Sequence, residues 1–229
     1  MKGKDMSKAL ILLALAAISA AVFPSMAAAA EEDIPLHVTP KPTAVSTIAG
    51  GVATFQAVGG TKISCKEFNG AVTWQSATTG NIKIAFKNEC SESLFGTECT
   101  NIETTELQFH LVTVPTAKPG ILITPAAESH IATFWCFGGF VKVVVKGNGV
   151  VGTITAPVCG GESVTAKIRF EQASGVQQHK KVVSNGGTGV TSTEYHRESS
   201  FNGGEFQQAG QTGEATITFP EGKKKLECT

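Results

Sequence analysis

The sequence predicts an all-β fold: an antiparallel β-sandwich of about thirteen strands, stapled by disulfides and preceded by a helical signal peptide. Three observations carry this. Apolar and polar residues alternate with period two along most of the chain, the pattern of a strand with one buried face. Asn-Gly pairs, which accept the positive φ that tight hairpin turns need, recur between such runs. Past the leader, no segment holds a helical period for about ten residues.

From the N-terminus, Lys2, Lys4 and Lys8 precede a 15-residue apolar and small-residue run from Ala9 to Phe23, followed by "PSMAAAAEED". A basic start, a short apolar stretch and a small-residue exit predict a signal peptide over residues 1–30, cleaved between Ala27 and Ala30. The run is shorter than the roughly 20 residues that span a bilayer. The expected product is soluble, with no membrane span after cleavage, and lies outside the cell or at its surface. The first cysteine, Cys65, is far from the cleavage junction, so no lipid attachment is expected. Residues 31–49 read as an extended lead-in, with three of the nine prolines in "EEDIPLHVTPKPTAV", and residues 50–229 as one sandwich domain.

Within that domain "NIKIAF" sets Ile82, Ile84 and Phe86 against Asn81, Lys83 and Ala85. "ELQFHL" sets Leu107, Phe109 and Leu111 against Glu106, Gln108 and His110, and "FVKVVVKG", "SVTAKIRF" and "ATITF" alternate likewise. Asn-Gly stands at Asn69, Asn148, Asn185 and Asn202, and each pair is expected to turn a hairpin. The last lies in "ESSFNGGEFQQAG", with Phe201 and Phe206 on its two arms. A glycine-rich phosphate cradle would need a helix N-terminus to follow. Nothing helical follows, so a turn is expected.

From Glu31 onward 16 Lys and Arg face 18 Asp and Glu, a formal charge of −2, which gives no electrostatic reason to bind nucleic acid. All six cysteines, Cys65, Cys90, Cys99, Cys136, Cys159 and Cys228, follow the leader. An even number in an oxidising compartment predicts three disulfides. Cys90 and Cys99 are close enough to staple one loop, but fifteen connectivities remain open. There is no C-x-x-C and no zinc-ligand spacing, and no metal or other cofactor is expected.

No aspartate follows Asp33, which removes aspartic dyads, Ser-His-Asp triads and calcium loops of spaced aspartates. The best remaining cluster is "TEYHRES". On a strand Glu194, His196 and Glu198 share a face, a set that could bind a metal or act as acid and base. The blander reading is a solvated face of mixed charge, with Arg197 nearby. Glu106 and His110 form a similar pair, and His37, His130 and His179 stand alone. Trp74, in register with Val72, reads as core, and Trp135, beside Cys136, as packing on a disulfide.

An ordered series of segments carries a resemblance: "KISC" at 62–65, "TGNIKIAFKNEC" at 79–90, Cys99, "TTELQFHL" at 104–111, "GILITP" at 120–125, "FWC" at 134–136, "VKGNGVVGTITAPV" at 145–158 and "ESSFNGGEFQQAG". In these, over roughly residues 50 to 228, the chain resembles a group of secreted actinobacterial proteins of unknown function. The resemblance implies export and a β-rich fold, with no assigned activity. It implies that Cys65, Cys90, Cys99 and Cys136 are shared and that Cys159 and Cys228 are additions that pair together. The implied bridges are Cys90–Cys99, Cys65–Cys136 and Cys159–Cys228.

The expected function is that of an exported, non-enzymatic β-sandwich protein, structural or ligand-binding, whose partner is a cell-surface component or polysaccharide. The alternatives are a secreted hydrolase acting through the Glu194–His196–Glu198 face and a carbohydrate-binding module presenting Trp74 or Trp135.

Overall fold

The computed structural model describes residues 36–87, 89–93, 95–115, 118–126, 130–182, 184–185 and 194–228. The expected signal peptide lies outside them. The strands are β1 (Leu36–Thr39), β2 (Ser46–Gly50), β3 (Ala53–Ala57), β4 (Lys62–Cys65), β5 (Phe68–Trp74), β6 (Thr79–Phe86), β7 (Cys90–Glu92), β8 (Glu98–Thr104), β9 (Leu107–Val114), β10 (Lys118–Pro125) and β11 (His130–Cys136). They continue as β12 (Val141–Gly147), β13 (Val150–Ala156), β14 (Glu162–Ser163), β15 (Thr165–Phe170), β16 (Gln172–Ala173), β17 (Val176–Gln177), β18 (Ser184–Asn185), β19 (Arg197–Phe201), β20 (Gln207–Thr218) and β21 (Lys224–Cys228). One 3-10 turn, Phe137–Gly139, is the only helical element among the described residues, and no helix there is long and apolar enough to cross a membrane.

The fold is all-β and disulfide-bonded as expected, but the main sheet is a closed barrel rather than a sandwich. The order β15-β13-β10-β9-β6-β5-β2-β20 returns on itself because β15 also pairs with β20, giving eight strands in a ring. The remaining strands, β19-β12-β11-β8-β7-β4-β3, run from β20 back to β20 and form a second circuit. β20 serves both. Its N-terminal half pairs with β19 and β3, through Ala209↔Arg197 and Ala209↔Ala57, and its C-terminal half with β15 and β2, through Thr218↔Thr165 and Thr218↔Thr47. Alternation reports a pleated strand with one buried face and is the same in a stacked pair of sheets and in a sheet curled on itself. Closure depends on which strands meet last, and strand spacing in sequence does not specify that.

The chain crosses between the two circuits repeatedly, from β2 to β3, β4 to β5, β6 to β7, β8 to β9, β10 to β11 and β12 to β13. Several crossings shift the inward set by an odd number of residues. Ile48 is followed inward by Ala53, and Cys65 by Phe68. Long apolar runs therefore split into two short strands at these points. β1 and all of β2 but Gly50 arise from residues 31–49, so the stretch expected as a lead-in supplies most of a strand of the barrel itself.

One apolar core runs through both circuits, from Ile48, Val72 and Ile82 to Ile63, Phe134 and Val143. At its centre Phe55, Phe86 and Phe134 meet at centroid separations of 5.4 to 5.9 Å, with Phe68 against Phe86 at 5.8 Å. Burying each ring is worth about 1.5–3 kcal/mol. Trp74 is core, edge-on to Phe109 at 4.8 Å.

Of the four Asn-Gly pairs, Asn202 makes a hairpin. Asn202 (φ 49) and Gly203 (φ 75) turn β19 into β20, and the Gly204 amide donates to the Phe201 carbonyl at 2.9 Å. The turn expected in "FNGGEF" is present. Asn69 lies inside β5, opposite Ala85 and Ala49, where a Cβ on Gly70 would strike the Lys83 carbonyl. Asn148 links β12 to β13, which do not pair with each other, and Asn185 lies at the edge of the described residues. Glycine thus marks close backbone approach in two of these places rather than a hairpin.

The disulfides are Cys65–Cys90, Cys99–Cys136 and Cys159–Cys228. The third is the pair the resemblance implied, and the first two correct it. Cys65, Cys90, Cys99 and Cys136 occupy one row across β4, β7, β8 and β11, all facing inward and fully buried. Bonding the central pair would leave Cys65 and Cys136 three strand spacings apart, about 14 Å. That is about twice the Cα separation a disulfide spans. Two adjacent bridges are the only way to pair all four.

β1, β21 and β14 form a separate three-stranded sheet, tied down by Cys159–Cys228. The turn before β21 is anchored by Glu221. Its carboxylate accepts from Lys224 Nζ at 2.8 Å, from the Thr43 hydroxyl and amide, and from the Ala44 amide at 2.6 Å. Lys224 first, then Thr43, lower its pKa from 4.5 to about 2. The folded value lies below the unfolded one, so the ionised group stabilises the fold fully above about pH 4.5, and that contribution is lost as pH falls toward 2. Glu221→Gln is expected to melt below wild type at neutral pH, with the gap closing across that window. A gap unchanged at pH 2 in thermal scans would refute it. Peptide mapping without reduction should recover the three bridges named. The double variant Cys65→Ser/Cys90→Ser should lose about 3 kcal/mol in denaturant titrations.

Candidate functional site

Where the two circuits meet, their strand ends do not fill the interior. A cavity of about 60 Å³ remains, walled by side chains beside the crossings, among them Ile48, Ala53, Phe55, Leu107, Ile168 and Phe170. A void of this size holds a small ligand or a few waters. The walls are almost wholly hydrocarbon, with Thr104, Gln211 and Thr212 at the margins and one charge, Arg197.

Arg197 is placed by alternation. It opens β19, with Tyr195 and Ser199 also buried and His196 and Glu194 turned outward. Its backbone pairs with Gly147 on β12 and with Ala209 on β20. Gly147 permits this approach, since a Cβ there would sit 2.9 Å from the Arg197 Cα and against the His196 carbonyl. The side chain is 4% exposed. Nη1 donates to Oε1 of Gln211, and the guanidinium carbon lies 6.0 Å from the centre of the Phe55 ring. Nε has no hydrogen-bond partner. No carboxylate lines the cavity, and among the described residues none lies within ion-pair distance of Arg197. Burial lowers its pKa to about 9, which leaves it charged at neutral pH.

Gln211 is itself held. Its backbone N–H donates to Gln177 Oε1 at 3.0 Å, and Gln177, 3% exposed, belongs to the β16–β17 hairpin packed beside β20. Outside the cavity lies a wider depression of about 460 Å³ lined by Gly51, Val52, Arg169 and Glu214. Phe170, Thr212 and Gly213 are common to both. The exposed Arg169–Glu214 pair, 2.6 Å apart, stands at this rim.

The residues singled out from sequence lie elsewhere. Glu194, His196 and Glu198 do share one outward face. Glu194 pairs with Lys181 at 3.3 Å and Glu198 with Lys146 at 3.5 Å, while the His196 amide donates to Asn148 Oδ1. Among the described residues no group of three or more His, Cys, Asp or Glu side chains is arranged to hold a metal. Arg197, expected beside these carboxylates, is on the opposite face. Glu106 is exposed and bonded to Asn81, whereas His110 is buried with its pKa lowered by that burial, so the two do not form a pair. His37, His130 and His179 each meet a partner: Glu227, Thr133 and Glu171. The six cysteines are all bridged. Trp74 is buried and offers no sugar platform, and Trp135, half-buried, lies under Lys142 at 5.0 Å.

No protein family, curated protein or solved structure matches the chain. The site therefore rests on its own geometry. Sequence reasoning missed Arg197, Gln211 and Phe55. The signal for the first was present, because alternation that turns Glu194, His196 and Glu198 outward turns Tyr195 and Arg197 inward.

Gly147→Ala is expected to cost at least about 2 kcal/mol in denaturant unfolding, since a backbone must move to admit the methyl. Gly51→Ala meets nothing within 4 Å and should change stability by no more than about 0.5 kcal/mol. Equal effects would show that the β12–β19 approach is not tight.

Proposed function

We propose that the chain is an exported, non-enzymatic binding protein that takes a small, largely apolar ligand into the cavity between its two strand circuits. The observation that carries this is the cavity itself: an apolar void walled by rings and branched side chains, where the closed barrel meets the disulfide-bonded second circuit. Interiors normally close over such space, and leaving it open forfeits dispersion contacts and transfer free energy. Small-ligand sites are of this kind, chiefly apolar with a few placed polar groups. Three disulfides among the described residues are compatible with a secreted or surface location. That location also agrees with the basic, apolar leader of the sequence. At the mixed-charge face Glu194 and Glu198 are each paired with a lysine, Lys181 and Lys146.

The test is methyl NMR with 1-hexanol as a neutral probe. Shifts confined to Ile48, Ile123 and Ile168 are expected, and Ala132→Leu, which fills the void, should abolish them while the rest of the spectrum is kept. No shift at millimolar probe, or shifts unaltered in Ala132→Leu, would reject the cavity as the binding site.

A further inference from the structure

We propose that the ligand of this cavity is a small amphipathic anion, a short-chain carboxylate whose head group sits on Arg197 and whose hydrocarbon tail lies against Phe55, Ile168 and Phe170. The proposal deepens the binding-protein reading and rests on it.

A buried guanidinium normally has a carboxylate beside it, because taking an unpaired ion out of water costs several kcal/mol. Arg197 has a neutral amide, the face of one phenyl ring and an unpartnered Nε. It presents five N–H donors in a planar fork, of which Gln211 takes one. The Nε side of that fork is the geometry that receives a carboxylate through two parallel hydrogen bonds. Among the described residues no acidic side chain lines the cavity, so an anion entering it would supply the counter-charge.

The walls decide the rest of the ligand. Beyond the arginine the lining is aliphatic and aromatic, so a compact dianion such as sulfate or phosphate would set its remaining oxygens against hydrocarbon with nothing to bond. A neutral apolar molecule would fill the space and leave the cation unpaired. Water could satisfy Nε but supplies no charge. A carboxylate with a few methylenes meets both demands. The volume of about 60 Å³ takes the head group and the first carbons only, so a six-carbon tail must continue past Phe170, Thr212 and Gly213 into the outer depression. Gln177 fixes Gln211, and Gln211 fixes one edge of the guanidinium, so the site is preorganised before the anion arrives.

The decisive measurement is calorimetric titration of the disulfide-bonded protein with hexanoate and, separately, with 1-hexanol, in wild type, Arg197→Met and Arg197→Lys. Hexanoate should bind wild type about ten- to a hundredfold tighter than hexanol, the advantage of charge-assisted over neutral hydrogen bonds. Arg197→Met, which removes a buried unpaired charge and keeps the volume, should melt no lower than wild type, keep hexanol binding and lose the preference for the acid. Arg197→Lys should keep part of that preference. Equal affinity for acid and alcohol in wild type, or a preference surviving in Arg197→Met, would overturn the anion while leaving the cavity as a binding site. Binding of neither probe to any variant would overturn both.

Discussion

The architecture depends on backbone hydrogen bonding along a single strand. β20 has strand partners on both sides at each end, β19 and β3 at one and β15 and β2 at the other. An open sheet of this many strands would present two edges with unpaired N–H and C=O groups, a template for aggregation. β20 removes them by closing both circuits. The change of partners falls between Thr212 and Gly213, and β20 is the one strand among the described residues that belongs to both circuits. Strand ends that break and shift parity interdigitate less fully than continuous strands, and the cavity of about 60 Å³ lies among them. The cavity is a consequence of how the two circuits are joined.

The disulfide row works on the second circuit. β7 is three residues long and β4 four, too short to hold register by backbone pairing alone. Two bridges across adjacent strands pin β4 to β7 and β8 to β11, on either side of the two-residue β7–β8 ladder. The row ends at Cys136, and the next residue, Phe137, has φ 55, a left-handed backbone disfavoured for a side chain of this size. Phe137 and Phe140 are exposed there, with Phe95 5.9 Å from Phe137. The cross-link at Cys136 fixes one end of this turn, which has no buried residue of its own.

Much of the fold was legible in the sequence. The period-two runs at "NIKIAF" and "ELQFHL" form β6 and β9, and the turn at Asn202 lies where its residue types placed it. Closure was not legible, because a pleat looks the same in a barrel and in a sandwich. The count of strands was too low for a related reason. In "KISCKEFNGAVTW" the inward residues run Ile63, Cys65, then Phe68, Val72 and Trp74, and the odd step at 66–67 separates two strands that read as one. The first two disulfides were hidden because register across four strands is a property of topology, and nearness of Cys90 to Cys99 in sequence does not decide between neighbours that are equally near in space. Arg197 was legible by alternation, yet charge suggested the surface. Composition and pattern disagreed at that position, and pattern prevailed.

That disagreement has physical content. An arginine on the inner face of a strand exposes the fold to a desolvation penalty that an apolar residue of the same volume would avoid. Burial pushes the guanidinium down toward a pKa of about 9 and still leaves it ionised at neutral pH, so the fold carries a charge in an apolar interior. The neighbours soften this only in part, through one amide oxygen and one ring face. Local rules of folding are consistent along most of this chain, and places where such rules are broken tend to be places where function is located. Here the broken rule, the interior void and the junction of the two circuits coincide in one spot. Each alone would be a minor irregularity; together they put a buried cation without an acidic partner among the described residues at the wall of a small apolar space, and that coincidence is what the proposed anion answers.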